Sequence, residues 1–278
     1  MKKKNVGIVG GSGYAGEELL SLVSNHQFMN LQAVSSRDFE GQQVSSVFKS
    51  FPDPNIIFSS PTDDKFLECD VVYFCTPHGI SMQMAKQFLD NGTKIIDLSA
   101  DFRLKDKTIW EEWYGMKHRQ SDLLDESIYG LVDIYAEDIK KANLIAVPGC
   151  YPTASLLGLM PLLNQGINIS NIVIDAKSGI SGAGRSTVEG AMQKEMHENL
   201  RAYAALGHRH LPEIKQEINR ASEKEINVSF MPHLIPMMRG IYASIYIQTD
   251  SSNLRKDIFD EFYNDSPSVV ILEDIPKI

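Results

Sequence analysis

Asn5-Val-Gly-Ile-Val9, Gly10-Gly-Ser-Gly13-Tyr-Ala-Gly16 and Glu17-Glu-Leu-Leu-Ser-Leu-Val23 follow one another without a break, and together they decide the fold. The first run is short and apolar, as in a parallel strand buried on both faces. The third has helical periodicity. Glycines between them permit a tight turn, close backbone approach to a pyrophosphate and close helix–strand packing. The helix N-terminus offers amide donors and a positive dipole end to phosphates. Gly11, Gly13 and Gly16 satisfy GxGxxG, while Gly10, Gly13 and Gly16 satisfy GxxGxxG; the sequence does not choose between them. Such a turn is weak evidence alone, and the strand before it and helix after it supply the context it needs.

Working outward, a second strand at Leu31–Val34 ends in Ser35-Ser-Arg37. An NAD-binding fold usually carries an acid there for the ribose 2′-hydroxyl. Ser36 and Arg37 suit a 2′-phosphate instead, and therefore NADP(H), although Asp38 leaves the acid alternative open. Strands at Val71–Phe74 and Lys94–Asp97 flank an amphipathic helix over Ser81–Leu89, and Leu144–Val147 reads as another strand. This β-α-β alternation predicts an α/β fold: a doubly wound parallel-sheet (Rossmann) NADP-binding domain over residues 1–148. Turns after the strands, Thr76-Pro77-His78-Gly79 and Ser99 to Arg103, face the ligand in such sheets. The cofactor-binding candidates are Gly10, Ser12, Gly13, Tyr14, Ala15, Gly16, Ser36, Arg37, Thr76 and Pro77, with Ser178 and Gly179 from a second glycine-rich segment.

Ala146-Val-Pro-Gly-Cys150-Tyr-Pro-Thr153 sets a cysteine on a glycine-supported turn before an apolar, helix-like run that starts at Ala154. The positive end of a helix dipole favours thiolate over thiol and makes such a sulfur nucleophilic. An α+β catalytic and dimerisation domain is expected over 149–278. Asn171–Ala176 is strand-like and runs into Lys177-Ser-Gly-Ile-Ser-Gly-Ala-Gly-Arg185, where amides and a guanidinium make a seat for an anion. Thr187 to Ala205 reads as a helix. Gly207-His-Arg-His-Leu-Pro-Glu213 then packs two imidazoles and a guanidinium before a further helix, one imidazole being a candidate acid/base for the cysteine. Phe230 to Gly240 reads as a loop, with Met237 and Met238 as packing residues, and Ile241–Ile247 alternates like a strand.

The bulk numbers narrow the classes. With 43% hydrophobic and 23% charged residues in 278, this is an ordinary globular composition long enough for two domains. A net charge of −9 argues against a nucleic-acid footprint, so an anionic substrate must be met by local Arg, Lys and His. Cys69, Cys75 and Cys150 form no metal-ligand spacing and no disulfide framework. The amino-terminal residues do not read as a signal peptide, and no apolar segment is long enough to span a bilayer; a cytoplasmic location is expected.

These motifs together resemble the N-acetyl-gamma-glutamyl-phosphate reductase family, NADPH-dependent enzymes of arginine biosynthesis. The match is carried by Gly10–Gly16 with Tyr14, Ile145–Pro161 around Cys150, Ser178–Arg185 and Gly207–Ile214. Ser99–Leu104 and Pro232–Ile241 also look familial. The resemblance implies that Cys150 attacks the acyl phosphate of N-acetyl-glutamyl phosphate, releasing phosphate and leaving a thioester, which NADPH reduces to the semialdehyde. It implies His208 as the catalytic imidazole, and Arg103, Ser181, Arg185 and His210 as substrate-binding residues, with no metal. A homodimer or homotetramer is implied too. Related lysine-pathway enzymes acting on aminoadipyl phosphate share the motifs, and a non-catalytic NADP-binding protein is the reading of a different class. Members of the family continue past a strand such as Val269–Leu272 into a long final helix that packs on the nucleotide domain; the sequence given stops at Ile278.

Overall fold

The structure, a computed structural model, describes residues 2–185, 188, 197–205 and 207–277. These divide into two compact units, one of residues 1–130 and 137–148, the other of 131–136 and 149–278.

The first unit holds seven strands: β1 (Lys4–Val9), β2 (Met29–Ser35), β3 (Phe58–Ser59), β4 (Val71–Phe74), β5 (Lys94–Asp97), β6 (Ile128–Tyr129) and β7 (Leu144–Ala146). They lie in the order β3-β2-β1-β4-β5-β7-β6, every pair parallel. Helices α1 (Tyr14–Ser24), α2 (Val44–Val47), α3 (Ser81–Asp90) and α4 (Lys107–Tyr114) belong to the same unit. Alternation along the strands feeds two cores. Val6 and Ile8 pack with Leu20, Val34 and Phe58, whereas Val72 and Phe74 pack with Met82, Phe88 and Trp110. The sheet is therefore covered on both faces, as an all-parallel sheet requires. Chain order reverses between β1 and β4, so the turns after those two strands open a crevice at the switch point.

Helix α5 (Val132–Lys141) is kinked at Tyr135, and the division between the units falls within it. The second unit contains α6 (Cys150–Asn164), β8 (Ile169–Ser178), β9 (Arg201–Ala202), α7 (His210–Ser222), β10 (Asn227–Leu234), β11 (Ile241–Thr249) and α8 (Asp257–Phe262). Its mixed sheet runs β11-β8-β10-β9, with β8 and β10 parallel and the outer pairs antiparallel. Ile172, Ile174 and Ala176 of β8 are buried, and α6 packs against α7 and β11. The expected Rossmann domain followed by an α+β domain is the observed architecture.

Several sequence expectations need correction. The helix starts at Cys150 itself rather than Ala154, because Pro152 falls in its first turn, where no intrahelical N–H is required. Nine of the nineteen residues of the helix read over Thr187–Ala205 lie outside the described residues, and Arg201–Ala202 within it is strand. Phe230–Leu234 is part of β10 rather than loop. Pro232 misled there, since proline removes a ladder donor. Its carbonyl accepts from Tyr203 N–H, on the side where β9 pairs only His233 and Leu234, so its nitrogen faces an almost open edge. Met237 and Met238 are exposed rather than packed, and their carbonyls accept from Ile180 and Ser181. Val269–Leu272 forms no strand, and Val270 and Leu272 are exposed.

Within α6, Pro161 cannot donate to the carbonyl of Leu157. The Tyr263 hydroxyl donates to that carbonyl instead, at 2.6 Å, from just beyond α8. Leaving a buried carbonyl unpaired costs about 1–3 kcal/mol. Tyr263→Phe, which keeps the buried ring, is expected to lose about that much in denaturant unfolding; an unchanged midpoint would show the carbonyl is satisfied otherwise.

Candidate active site

The turn after β1 is built on three glycines with different tasks. Gly10 has φ +85°, and a methyl group there would lie 2.7 Å from the Cys75 carbonyl oxygen, in the turn after β4. A methyl on Gly16 would lie 2.6 Å from the Gly11 carbonyl carbon, so α1 starts against the turn that precedes it. Gly11 is confined as well, by Val34 at 2.4 Å, and its N–H donates to Ser35 O at 2.8 Å. Gly10, Gly11 and Gly16, drawn from both patterns that the sequence permits, are thus each crowded. Gly13 differs: nothing lies within 4 Å of where its side chain would be. It is the N-cap of α1 and has no side chain with which to cap it, so Tyr14, Ala15 and Gly16 head a helix whose dipole faces that open space.

Around this turn the donor set suits a dinucleotide. Ser36 Oγ donates to Ser12 Oγ at 2.9 Å, bringing two of the sequence candidates together, and Arg37 follows as an exposed side chain. Thr76 Oγ1 is buried without a hydrogen-bond partner among the described residues, and its methyl group would touch a side chain at Gly10. Pro77 beside it is exposed. His78 packs its ring on Tyr114 at 5.2 Å. Arg103, expected on substrate, is largely buried. Its Nε donates to Val147 O at 2.7 Å and its Nη2 to Leu98 O at 2.8 Å, so part of the guanidinium ties two strand-end loops together.

In the second unit Cys150, Tyr151, Ser178, Gly182, Ala183, Arg201, Tyr203, His208, His210 and Leu234 line a cavity of about 270 Å³. Of the three cysteines only Cys150 is exposed; burial pushes the Cys69 and Cys75 thiols up to about 12. The backbone before Cys150 is clamped. Gly149 N–H donates to the buried Glu213 Oε1 at 2.8 Å, and a methyl on Gly149 would lie 2.4 Å from His210 Nε2. Any side chain at 149 requires that imidazole to move.

The two histidines divide their surroundings. His208 stacks edge-on against Tyr151, Tyr203, Phe230 and His210, at centroid distances of 4.8–5.5 Å. Its Nδ1 accepts from His210 N–H at 3.1 Å, so the ring proton sits on Nε2. Burial, with the Arg209 charge adding, pushes it down to about 4. Beneath them Tyr203 donates to the Tyr151 hydroxyl at 2.9 Å. Ser178, at the end of β8, is buried against Tyr151 and donates to Gly179 O. Gly179 is pinned to the 237–240 backbone, where a side chain would meet Arg239 N at 2.8 Å, and Ser181 N–H donates to Met238 O at 2.9 Å. Arg185 follows on the same segment and is half-buried. Arg201, Tyr203 and Glu213 escaped sequence reasoning. Glu213 did sit in the quoted His-Arg-His segment, as an acid in a helix first turn, but Arg201 and Tyr203 carry no pattern.

Residues 5–142 match the semialdehyde dehydrogenase NAD-binding domain, and residues 150–278 match the semialdehyde dehydrogenase dimerisation domain. N-acetyl-gamma-glutamyl-phosphate reductase of Pseudomonas fluorescens strain Pf0-1 is 45% identical over 271 residues, covering 96% of this chain and 79% of that protein. The enzyme of the same name from Nitrosococcus oceani is 47% identical over 268 residues, covering 95% and 78%. The chain belongs to the N-acetyl-gamma-glutamyl-phosphate reductase family. Among solved structures, aspartate semialdehyde dehydrogenase II from Vibrio cholerae, complexed with ASA, superposes with a TM-score of 0.74 at 15% identity, covering 100% of this chain and 84% of that one. Aspartate semialdehyde dehydrogenase with NADP from Candida albicans gives 0.65 at 15% identity, covering 94% and 76%. At that identity the likeness shows the fold alone, shared beyond the N-acetyl-gamma-glutamyl-phosphate reductase family.

The glycines separate folding from ligand binding. Gly16→Ala overpacks the turn and is expected to cost about 1–3 kcal/mol of stability. Gly13→Ala is expected to leave stability within about 0.5 kcal/mol while weakening dinucleotide affinity in a fluorescence titration. Equal stability losses would refute this division.

Proposed function

We propose that the chain catalyses the NADPH-dependent reduction of N-acetyl-L-glutamyl 5-phosphate to N-acetyl-L-glutamate 5-semialdehyde, with phosphate release, through a thioester on Cys150. One observation carries the reading: the single exposed cysteine heads α6 and shares a cavity with two imidazoles and an arginine. The helix N-terminus favours its thiolate. Cys150 Sγ forms a bond to the acyl carbon as the carbon–phosphate oxygen bond breaks, and inorganic phosphate leaves with the electron pair. Bound NADPH supplies the hydride that brings the acyl group to the aldehyde level. Cleavage of the C–S bond returns the thiolate.

The remaining parts follow from the chain's own groups. Gly10 to Gly16, Ser12, Ser36, Arg37, Thr76 and Pro77 would hold the dinucleotide, with the Ser12–Ser36 pair and Arg37 at the 2′-phosphate. Ser178 and Gly179 would border its reactive end. His208, neutral with its proton on Nε2, is suited to donate a hydrogen bond to the oxyanion that develops on the acyl oxygen. His210, against Gly149, is the imidazole nearest the turn that carries the nucleophile. Ser181, Arg185, Arg103 and Arg201 are the remaining donors proposed for carboxylate and phosphate.

The reading extends to assembly and location. On the β11-β8-β10 face opposite the helices, exposed Tyr246 pairs with Val173, and exposed Met231 lies on the next strand. This face suits the subunit contact of a homodimer or homotetramer. No helix among the described residues is long and apolar enough to cross a membrane. Three cysteines outside any disulfide and a net charge of −9 suit a cytoplasmic enzyme without a nucleic-acid partner.

The reverse assay tests the reading: oxidation of N-acetyl-glutamate semialdehyde with NADP and phosphate. Cys150→Ala is expected to lower turnover by about 10⁴-fold or more, and retained activity would refute the thioester. NAD in place of NADP should serve poorly; a preference for NAD overturns the role of Ser36 and Arg37. His208→Asn should cut turnover on the order of a hundredfold, far more than His197→Asn. Because His208 is neutral well below neutrality, its loss should lower the pH–rate profile between about pH 5.5 and 8 without changing its shape. His210→Asn in parallel identifies which imidazole sets that shape.

A further inference from the structure

Four buried side chains crowd their oxygens around Ser81. Ser81 Oγ lies 2.7 Å from Asp97 Oδ2, 2.9 Å from Asp101 Oδ2 and 3.0 Å from Ser99 Oγ, and Ser99 Oγ lies 2.9 Å from Asp97 Oδ2. Both carboxyl groups are fully buried. Each of the three contacts to a carboxyl oxygen calls for one hydrogen between its oxygens, yet Ser81 and Ser99 bring only two. A proton on Asp97 supplies a third. Hydrogen bonds then run from Asp97 Oδ2–H to Ser81 Oγ, from Ser81 O–H to Asp101 Oδ2 and from Ser99 O–H to Asp97 Oδ2.

Asp101 is the partner that meets the backbone donors of the following helix. Gly79 N–H donates to its Oδ1 at 2.6 Å and Met82 N–H to its Oδ2 at 3.0 Å. It thereby caps α3, whose own N-cap residue, Ile80, has no side-chain acceptor. Gly79 closes the Thr76–Gly79 turn at φ +88°, and Gln83 Nε2 donates to its carbonyl from the other side. Asp101 thus holds one end of a turn whose other end carries the unpartnered hydroxyl of Thr76.

We propose that Asp97 and Asp101 hold one proton between them through Ser81, and that this singly protonated pair is the positioning element of the Thr76–Gly79 turn for the dinucleotide. The proposal rests on the reading of the first unit as the NADP(H)-binding domain. Loss of the proton puts two like charges side by side in a water-excluded pocket and drives Asp101 off the Gly79 and Met82 amides. Burial first, and then the Asp101 charge, pushes Asp97 up to about 6. A carboxyl raised in the fold stabilises the protonated arrangement at low pH, and that contribution is lost as pH rises through about 6.

The groups facing the pair are few. Cys75, after β4, is pushed up to about 12 by burial and by the Asp97 charge. His118 contacts Asp101 O through Nε2 at 2.7 Å, and its Nδ1 accepts from Gln120 N–H. Arg103 donates to the Leu98 and Val147 carbonyls, and His78, within the turn, lies on Tyr114.

NADPH affinity, read by fluorescence on the full chain at pH 5.5 and 7.5, tests this. In the wild type Kd should rise about three- to tenfold across that range relative to Asp97→Asn, which keeps a donor towards Ser81 without a titrating group. The ligand's own phosphate titrates identically with both proteins. Parallel pH dependences in the two overturn the proposal. A wild type that binds no NADPH at either pH overturns the nucleotide-unit reading, and the proposal with it, and is a distinct result. Should Asp97→Asn not fold, infrared difference spectra of the wild type replace it. A buried carboxylic-acid carbonyl stretch present at pH 5.5 and lost by 7.5 supports the shared proton, and its absence at pH 5.5 overturns it.

Discussion

A side chain on Gly149 would have to displace His210, and the geometry of the cysteine site depends on its absence. His210 sits where a methyl group would be, and the amide of the same residue donates to the buried Glu213. Both partners belong to α7, so one residue fixes the start of α6 against the start of α7. Losing a buried hydrogen bond of this kind costs about 1–3 kcal/mol. Whatever chemistry Cys150 performs, its backbone is held through its neighbour, Gly149.

The first unit uses the same device at the other functional helix. Gly16 lets α1 begin against Gly10 and Gly11, and Gly10 lets that turn meet Cys75 O across the switch point. In both cases a missing side chain lets a helix N-terminus lie close to another group, backbone at Gly16 and an imidazole at Gly149. The consequences differ. Around Gly13 the closeness leaves room for a ligand, whereas around Gly149 it is filled by an imidazole.

Local pattern was legible and distant pairing was not. The strand–turn–helix from Asn5 and the Gly-Cys-Tyr-Pro segment announce themselves because turn, strand and helix chemistry lie within one short stretch. Arg103 reads as a substrate contact, yet two of its donors meet carbonyls 5 and 44 residues away. Tyr263 satisfies a carbonyl 106 residues earlier, a pairing no periodicity encodes. β10 was hidden by Pro232, whose missing donor is harmless only because β9 is two residues long. Asp101 caps α3 from 19 to 22 residues downstream, so a search for a local capping residue finds only Ile80. Nothing in the spacing says that this acid and Asp97 meet.

The N-termini of α1 and α6 differ from those of α3 and α4 in how they are capped. Asp106 caps α4 in the ordinary local way, accepting from Thr108 and Ile109 N–H, and Asp101 caps α3 from a distance. At these two ends a carboxylate already answers the positive end of the dipole. Helices α1 and α6 have Gly13 and Gly149 at the N-cap, and neither has a side-chain cap. Glu213 takes the amide of Gly149 itself, one position before the helix, and leaves the first-turn field directed at Cys150. A chain of net charge −9 has little global attraction for anions. Two helix ends without acidic caps, one opening beside the Ser12–Ser36 pair and one at the thiol, supply locally the positive potential that the whole molecule lacks.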